Sequence, residues 1–170
     1  AINDIVKWID PRITKQLDLE SHGLSLIQPD TVRIALGENG KNITFHRDSK
    51  KTAESISTHS EKDGKVWGEF TEYIHKLAQF LEKIYEITPP SLPNVGLKEA
   101  LGMRSILGPV RRHGTRGLVD LIRVVPMMMP ELMDEWFENE LLRSAVSTAG
   151  IHHLSFGPFS AGTGYNLLHQ

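Results

Sequence analysis

The clearest pattern in the chain is an apolar stripe that repeats every three or four residues over about residues 62–88. Its members are Val66, Phe70, Ile74, Leu77, Leu81 and Ile84. This spacing places them on one face of an α-helix, and no proline interrupts the segment. Just before it, Ser60 and Asp63 have the spacing of a capping box, in which side chains bond free amides at a helix start. We therefore predict one long amphipathic helix over about residues 62–88.

Shorter apolar segments nearer the start favour strands. Residues 24–28 (LSLIQ) and 31–36 (TVRIAL) are predicted strands, separated by a proline. The dipeptide Asn39-Gly40 is a strong signal for a tight hairpin turn, so residues 42–47 (NITFHR) are predicted to return as a partner strand. Together these segments predict a small antiparallel sheet with alternating faces.

The remaining predicted elements are helices. A short one begins at Pro11 and ends at Gly23, with Ile13 and Leu17 on its buried face. Asp48 and Ser49 can cap another that runs to about residue 58. Further predicted helices cover residues 97–101, 115–125, 130–137 and 138–150, the last terminated by Gly150. The fold class predicted from these patterns is α+β, a small antiparallel sheet with a largely helical insert.

Composition narrows the classes of function. The 170 residues are 39% hydrophobic and 24% charged, which suits one ordinary folded domain. A net charge of −2 gives no basic field, so we expect no nucleic-acid partner. Without cysteine the chain has no disulfide, thiolate metal site or cysteine nucleophile. No apolar run approaches the roughly 20 residues that span a bilayer.

The glycines of the GTG segment, Gly162 and Gly164, suggest a dinucleotide fingerprint. That fingerprint requires glycine or alanine three residues later, where this chain has Leu167. Turn geometry and close packing at a helix start are the favoured roles of these glycines. The adjacent His152 and His153 diverge on any regular backbone, and no metal-ligand spacing occurs, so we expect no metal site.

Two other segments leave alternatives open. The arginine cluster in residues 111–116 (RRHGTR) could bind phosphate, although a solvated loop is the favoured interpretation in a near-neutral chain. The methionine-rich run in residues 124–133 (VVPMMMPELM) favours core packing, with an adaptable cavity or partner groove as the alternative.

Four segments, taken in order, carry a resemblance to a known family. They are DLESHGLSLIQPD (18–30), ITFHRDSKKTAESISTHSEKDGKVWGEF (43–70), LMDEWFENELLRSAVSTAG (132–150) and GPFSAGTGYNLLHQ (157–170). In order and spacing they resemble the middle portion of phytoene-dehydrogenase-like FAD-dependent oxidoreductases. The nearest branch is the pyridine nucleotide-disulfide oxidoreductase domain-containing protein 2 type. The most specific parts are the Trp136-Phe137-Glu138 block and the stretch from Gly162 to His169.

The resemblance implies that different segments of a longer chain bind the cofactor and the substrate. In that family an N-terminal glycine fingerprint and a C-terminal glycine-rich segment hold FAD, and this sequence lacks both. Residues 1–170 are therefore expected to be a single substrate-domain fragment, with no catalytic or cofactor-binding residue and no FAD of its own. The terminal glycine loop is expected to return the chain towards the flavin without itself binding a pyrophosphate.

The resemblance also implies a substrate pocket for a lipophilic or small organic molecule. The predicted lining residues are Met127, Met128, Met129, Met133, Phe156, Phe159, Tyr165 and His169. The expected partners are the missing FAD-binding portion of the same chain and the substrate, with a dimer formed through exposed apolar surface left open. A cytoplasmic location is expected, or the mitochondrial matrix in a eukaryote, with peripheral membrane contact left open. The alternative function is a non-enzymatic module that binds a helix or an apolar ligand.

Overall fold

The computed structural model describes residues 11–25, 27, 29–85, 117–152 and 154–169. The chain divides into two units, Ala1–Asp30 and Thr31–Gln170. Neither the predicted helix at 97–101 nor the arginine cluster at 111–116 lies within the described residues.

The first unit contains helix α1, Pro11–Gln16, followed by turns. The predicted start at Pro11 is confirmed, but the helix ends well before Gly23 because Asp18 adopts a positive φ of 48°. Ile13 and Leu17 are exposed, so the predicted buried face is wrong; a helix this short has room for little packing. The predicted strand at 24–28 is also wrong, since its described residues 24, 25 and 27 form no strand.

The second unit begins with an antiparallel pair of strands, β1 (Thr31–Ala35) and β2 (Ile43–His46). The predicted α+β class and small antiparallel sheet are thereby confirmed. Asn39 and Gly40 form the predicted tight turn, both with positive φ, at 56° and 74°. That geometry matches the right-handed twist of a hairpin and explains the Asn-Gly sequence.

Helix α2, Ser49–Ser57, packs against β2 and begins as predicted, with the Asp48 side chain accepting the Lys50 amide. Helix α3, Glu61–Tyr85, confirms the long amphipathic helix, whose predicted end lies beyond the described residues. Its buried face continues into an aromatic cluster at the centre of the core. The members of that cluster are Phe45, Trp67, Phe70, Tyr73, Trp136 and Phe137.

The predicted capping box at the start of α3 forms only in part. The Asp63 amide donates to Ser60 Oγ at 3.1 Å, but the Asp63 carboxylate does not reach back to complete the box. Asp63 is instead fully buried, and its carboxylate accepts the backbone amides of Glu138 and Asn139. Local spacing therefore identified the cap, whereas tertiary structure decided where the carboxylate bonds.

Beyond α3, the described residues form four helices: residues 117–124 (α4), Met129–Trp136 (α5), Glu140–Ile151 (α6) and Thr163–Leu167 (α7). The prediction that Gly150 terminates α6 is wrong, because Gly150 lies inside the helix. A Cβ at this position would overlap the Met129 side chain and lie 2.8 Å from the Thr163 carbonyl oxygen. Gly150 thus allows α6 to touch α5 and α7 directly.

Candidate functional site

The terminal glycine segment forms a closely packed turn that starts α7. Gly162 has a φ of 85° and precedes the helix, which favours glycine there. A Cβ on Gly164 would lie 2.6 Å from the Val124 carbonyl oxygen, so this glycine permits a backbone contact. The amides of Gly162 and Gly164 donate to the carbonyls of Pro126 and Met127. Because these amides already have protein acceptors, the turn does not fit the pyrophosphate of a dinucleotide.

Three side chains, those of Tyr85, Tyr165 and His169, contact each other at α7 and the residues just after it. The spacing of Tyr165 and His169 brings their rings together, edge to face with centroids 4.7 Å apart. The Tyr85 ring, at the end of the described part of α3, stacks on His169 at 5.4 Å. The Tyr85 hydroxyl hydrogen-bonds to His169 Nε2 at 2.7 Å and also to the Tyr165 hydroxyl. The sequence predicted Tyr165 and His169 as site residues but missed Tyr85.

Hydrogen bonds join the polar atoms of this Tyr85–Tyr165–His169 cluster. Partial burial, followed by the hydrogen bond to Tyr165, raises the pKa of Tyr85 above its usual range. Its phenol therefore stays protonated at neutral pH and can donate a hydrogen bond. Tyr85 remains half-exposed, so a ligand could reach the cluster. Phenol and imidazole at this spacing are suited to holding a substrate oxygen by hydrogen bonds.

The four predicted methionines lie at the start of α5 and in the turn before it. Met129 and Met133 are fully buried, whereas Met127 and Met128 are half-buried. The Met129 amide donates to Thr163 Oγ1 at 2.9 Å, so the methionine turn and the glycine turn are held against each other. The methionines thus pack beside the segment that carries Tyr165.

A cavity of about 420 Å³ lies between α5, α6 and the turn before α7. Its wall includes Met133 and Phe159, two of the predicted lining residues. Phe159 is 74% exposed at the rim, while Met133 contributes a buried, flexible wall. The Asp134–Arg143 ion pair and the hydroxyls of α6 add polar groups. The volume falls in the range of small-molecule sites. Phe156 is exposed and is not part of this wall.

A second cavity, of about 570 Å³, lies among α3, α4 and α5, and no sequence pattern predicted it. Tyr73 and Trp136 stack at one wall with centroids 5.3 Å apart. Arg123 donates to both carboxylate oxygens of Glu135 at 2.7 Å and to the Tyr73 hydroxyl at 3.3 Å. These bonds raise the pKa of Arg123, which remains a cation already paired with protein groups. This cavity therefore offers aromatic surface more than a free charge.

The described ranges also bear on metal binding and on membrane insertion. No group of three or more histidine, cysteine, aspartate or glutamate residues there could hold a metal ion. In the same ranges no helix is long and apolar enough to span a membrane.

Comparison with known proteins gives distant similarity along almost the whole chain. The chain is 25% identical, over 179 aligned residues, to rat "Pyridine nucleotide-disulfide oxidoreductase domain-containing protein 2", covering 98% of this chain and 31% of the rat protein. The mouse protein of the same name is 24% identical over the same shares. The chain therefore spans about a third of the length of the curated relatives it matches. No protein-family model matches the chain, and no solved structure does. The similarity supports an oxidoreductase-related domain.

Proposed function

We propose that this chain is the substrate-binding portion of an FAD-dependent oxidoreductase, phytoene-dehydrogenase-like, that acts on a lipophilic or small organic molecule. The observation that carries the proposal is the alignment of 98% of the chain with proteins named for an oxidoreductase domain. That alignment covers only 31% of the rat protein, which leaves room for cofactor-binding segments on other polypeptide.

The cavity beside α5 and α6 supports a substrate with an apolar body. Met133 is flexible and polarizable, so it can adapt to irregular ligands, and Phe159 presents an aromatic face at the entrance. In this proposal Met127, Met128 and Met129 support the wall behind it. Ser147 and Thr148 line the same cavity and could orient one polar group of the substrate.

In this proposal the Tyr85–Tyr165–His169 cluster, which is not part of the wall of that cavity, binds the polar end of the substrate. The cluster would hold a substrate oxygen, while the apolar walls exclude water. The flavin, when bound by polypeptide outside this chain, supplies the redox chemistry. The described residues of this chain would position the substrate, and the Tyr85 phenol would donate a hydrogen bond to it.

The test uses the full-length protein, purified and examined for visible flavin absorbance and for turnover of lipophilic candidates. Phe159→Ala is expected to raise KM several-fold with little loss of folding, because the ring is mostly exposed. Phe156→Ala removes an equal ring from the same loop but outside the cavity, so it is the matched comparison. Full-length protein that never retains flavin would refute the proposal. Equal KM for both variants and the parent would refute the cavity assignment.

The alternative function, a module that binds a helix or an apolar ligand, is favoured by one observation. Val119 and Ile122 on α4 are both mostly exposed and lie three residues apart, on one side of the helix. The flavin measurement separates the two functions. A flavin-free protein whose Ile122→Asp variant lost a partner would support the module.

A further inference from the structure

The two edges of the β1–β2 sheet differ in how their backbone groups are satisfied. On the outer edge of β2, the Thr44 amide donates to Ser55 Oγ and the His46 amide to Thr52 Oγ1, each at 2.8 Å. Both acceptors belong to α2, which lies along this edge. Helix α2 therefore closes the sheet on the β2 side, and β1 forms the opposite edge.

The register shows which backbone groups of β1 point outward. Ile34 lies opposite Thr44. Because the Thr44 amide points away from β1, this is a pair in which both residues turn their amide and carbonyl groups outward. The neighbouring Arg33 and Ala35 instead pair with β2. Across the described part of the chain, no hydrogen bond reaches the outward amide of Ile34.

The side chains on this edge are apolar and uncovered. Val32, Ile34 and Leu36, at alternate positions in and just after β1, are 41%, 51% and 78% exposed. Arg33 points to the other face, where it donates to Thr148 Oγ1 of α6 at 3.0 Å. Exposed edges are commonly protected by lysine, proline, an inward charge or a bulge; Arg33 and the irregularity beside it protect the first half of β1, and residues 34–36 carry none of these. A register irregularity between Thr31 and Arg33 affects only the start of the strand.

We infer that the edge of β1 pairs with an extended strand contributed by polypeptide outside this chain in the full-length protein. This inference rests on the proposed function, in which the chain is one portion of a longer oxidoreductase. More than two thirds of the rat relative lies outside the aligned region and could supply such a strand. A third strand would satisfy the Ile34 backbone and extend the apolar face of the sheet. The incoming strand should carry β-branched or aromatic residues at alternate positions.

The test is amide hydrogen exchange at single-residue resolution on the full-length protein. The Ile34 amide is expected to be protected on the order of 100-fold or more relative to an unstructured peptide, as are the Arg33 and Ala35 amides that face β2. Free exchange at Ile34 together with protection at Arg33 and Ala35 would overturn the inference. Protection that vanishes on dilution, with a dimer dissociating in parallel, would assign the edge to a second copy and also overturn it.

Flavin content measured on the same sample keeps this inference distinct from the proposed function. A flavin-containing protein with a freely exchanging Ile34 amide refutes the added strand alone. A flavin-free monomer with a protected Ile34 amide refutes the proposed function and retains the added strand.

Discussion

Replacement of Asp63 tests whether one buried carboxylate joins the start of α3 to the start of α6. One Asp63 oxygen accepts the Asn139 amide at 2.8 Å, and the Glu138 amide lies 3.0 and 3.2 Å from the two oxygens. Asp63 is fully buried, so water cannot readily replace it as acceptor. Its position in the first turn of α3 also places the negative charge near the positive end of the helix dipole.

The expected loss of stability follows from the two amide hydrogen bonds that Asp63 accepts. A hydrogen bond to a charged group contributes about 1.5–3 kcal/mol. Asp63→Ala removes the acceptor of both amides, so we expect the free energy of unfolding to fall by about 3–6 kcal/mol. Asp63→Asn keeps one oxygen but directs an NH₂ group towards a donor, so a loss of about 2 kcal/mol is expected. Domains of this size have a total free energy of unfolding of about 5–15 kcal/mol, so the loss in Asp63→Ala would be a large part of it.

The assay is urea unfolding followed by tryptophan fluorescence, since Trp67 lies one turn further along α3. Glu61→Gln is the matched control, because it changes an acidic residue in the same turn whose ion pair with Lys65 is exposed. That control should leave the unfolding midpoint unchanged. The reasoning is refuted if Asp63→Ala unfolds at the same urea concentration as the control.

Three further outcomes are expected. Gly150→Ala should lower the free energy of unfolding by about 1–3 kcal/mol, because the added methyl group overpacks the helix contact. Gly68→Ala, at an open position inside α3, should raise it by about 0.5–1 kcal/mol. Changes in the same direction for both variants, measured by urea unfolding, would contradict the packing argument. Burial is the main factor that raises the pKa of both Tyr73 and Tyr85. The stability they contribute is therefore complete below about pH 10 and falls as the pH rises further, and a tyrosinate absorbance signal from either residue below pH 10 would contradict this. Thr52→Val removes the acceptor of the His46 amide in β2, so the free energy of unfolding should fall by about 1–2 kcal/mol. Urea unfolding measures this change, and unchanged stability would contradict the prediction.

The elements predicted well were those whose determinants are local. The stripe along α3, the Asp48 cap and the Asn39-Gly40 turn depend on residues within a few positions of each other, and all three appear in the structure. The segment at 24–28 failed because a strand also needs a partner, which an alternating pattern does not specify. Gly150 was misplaced for the same reason, since its contact with Met129 comes from the crossing of two helices.

In the candidate site, too, local contacts could be predicted from the sequence and tertiary contacts could not. Tyr165 and His169 are four residues apart near the end of the chain, so a local pattern could suggest that they act together. Tyr85 joins them from 80 residues away, and nothing in its own neighbourhood indicates that contact. The cavity near Phe159 likewise depends on how α5 and α6 cross, so its volume and its polar wall could not be predicted.

The glycines at 150 and 164 have a mechanical consequence. At Gly150 the backbone of α6 lies against the Thr163 carbonyl oxygen of α7, and at Gly164 the backbone of α7 lies against the carbonyl oxygens of Val124 and Met127, so α7 cannot slide past α6 or the end of α4 without a backbone clash. Widening of the neighbouring cavity would then come from residues 154–161, which carry Phe159 at its wall. Helices α6 and α7 would move as one unit, and residues 154–161 would form the adjustable side of the entrance.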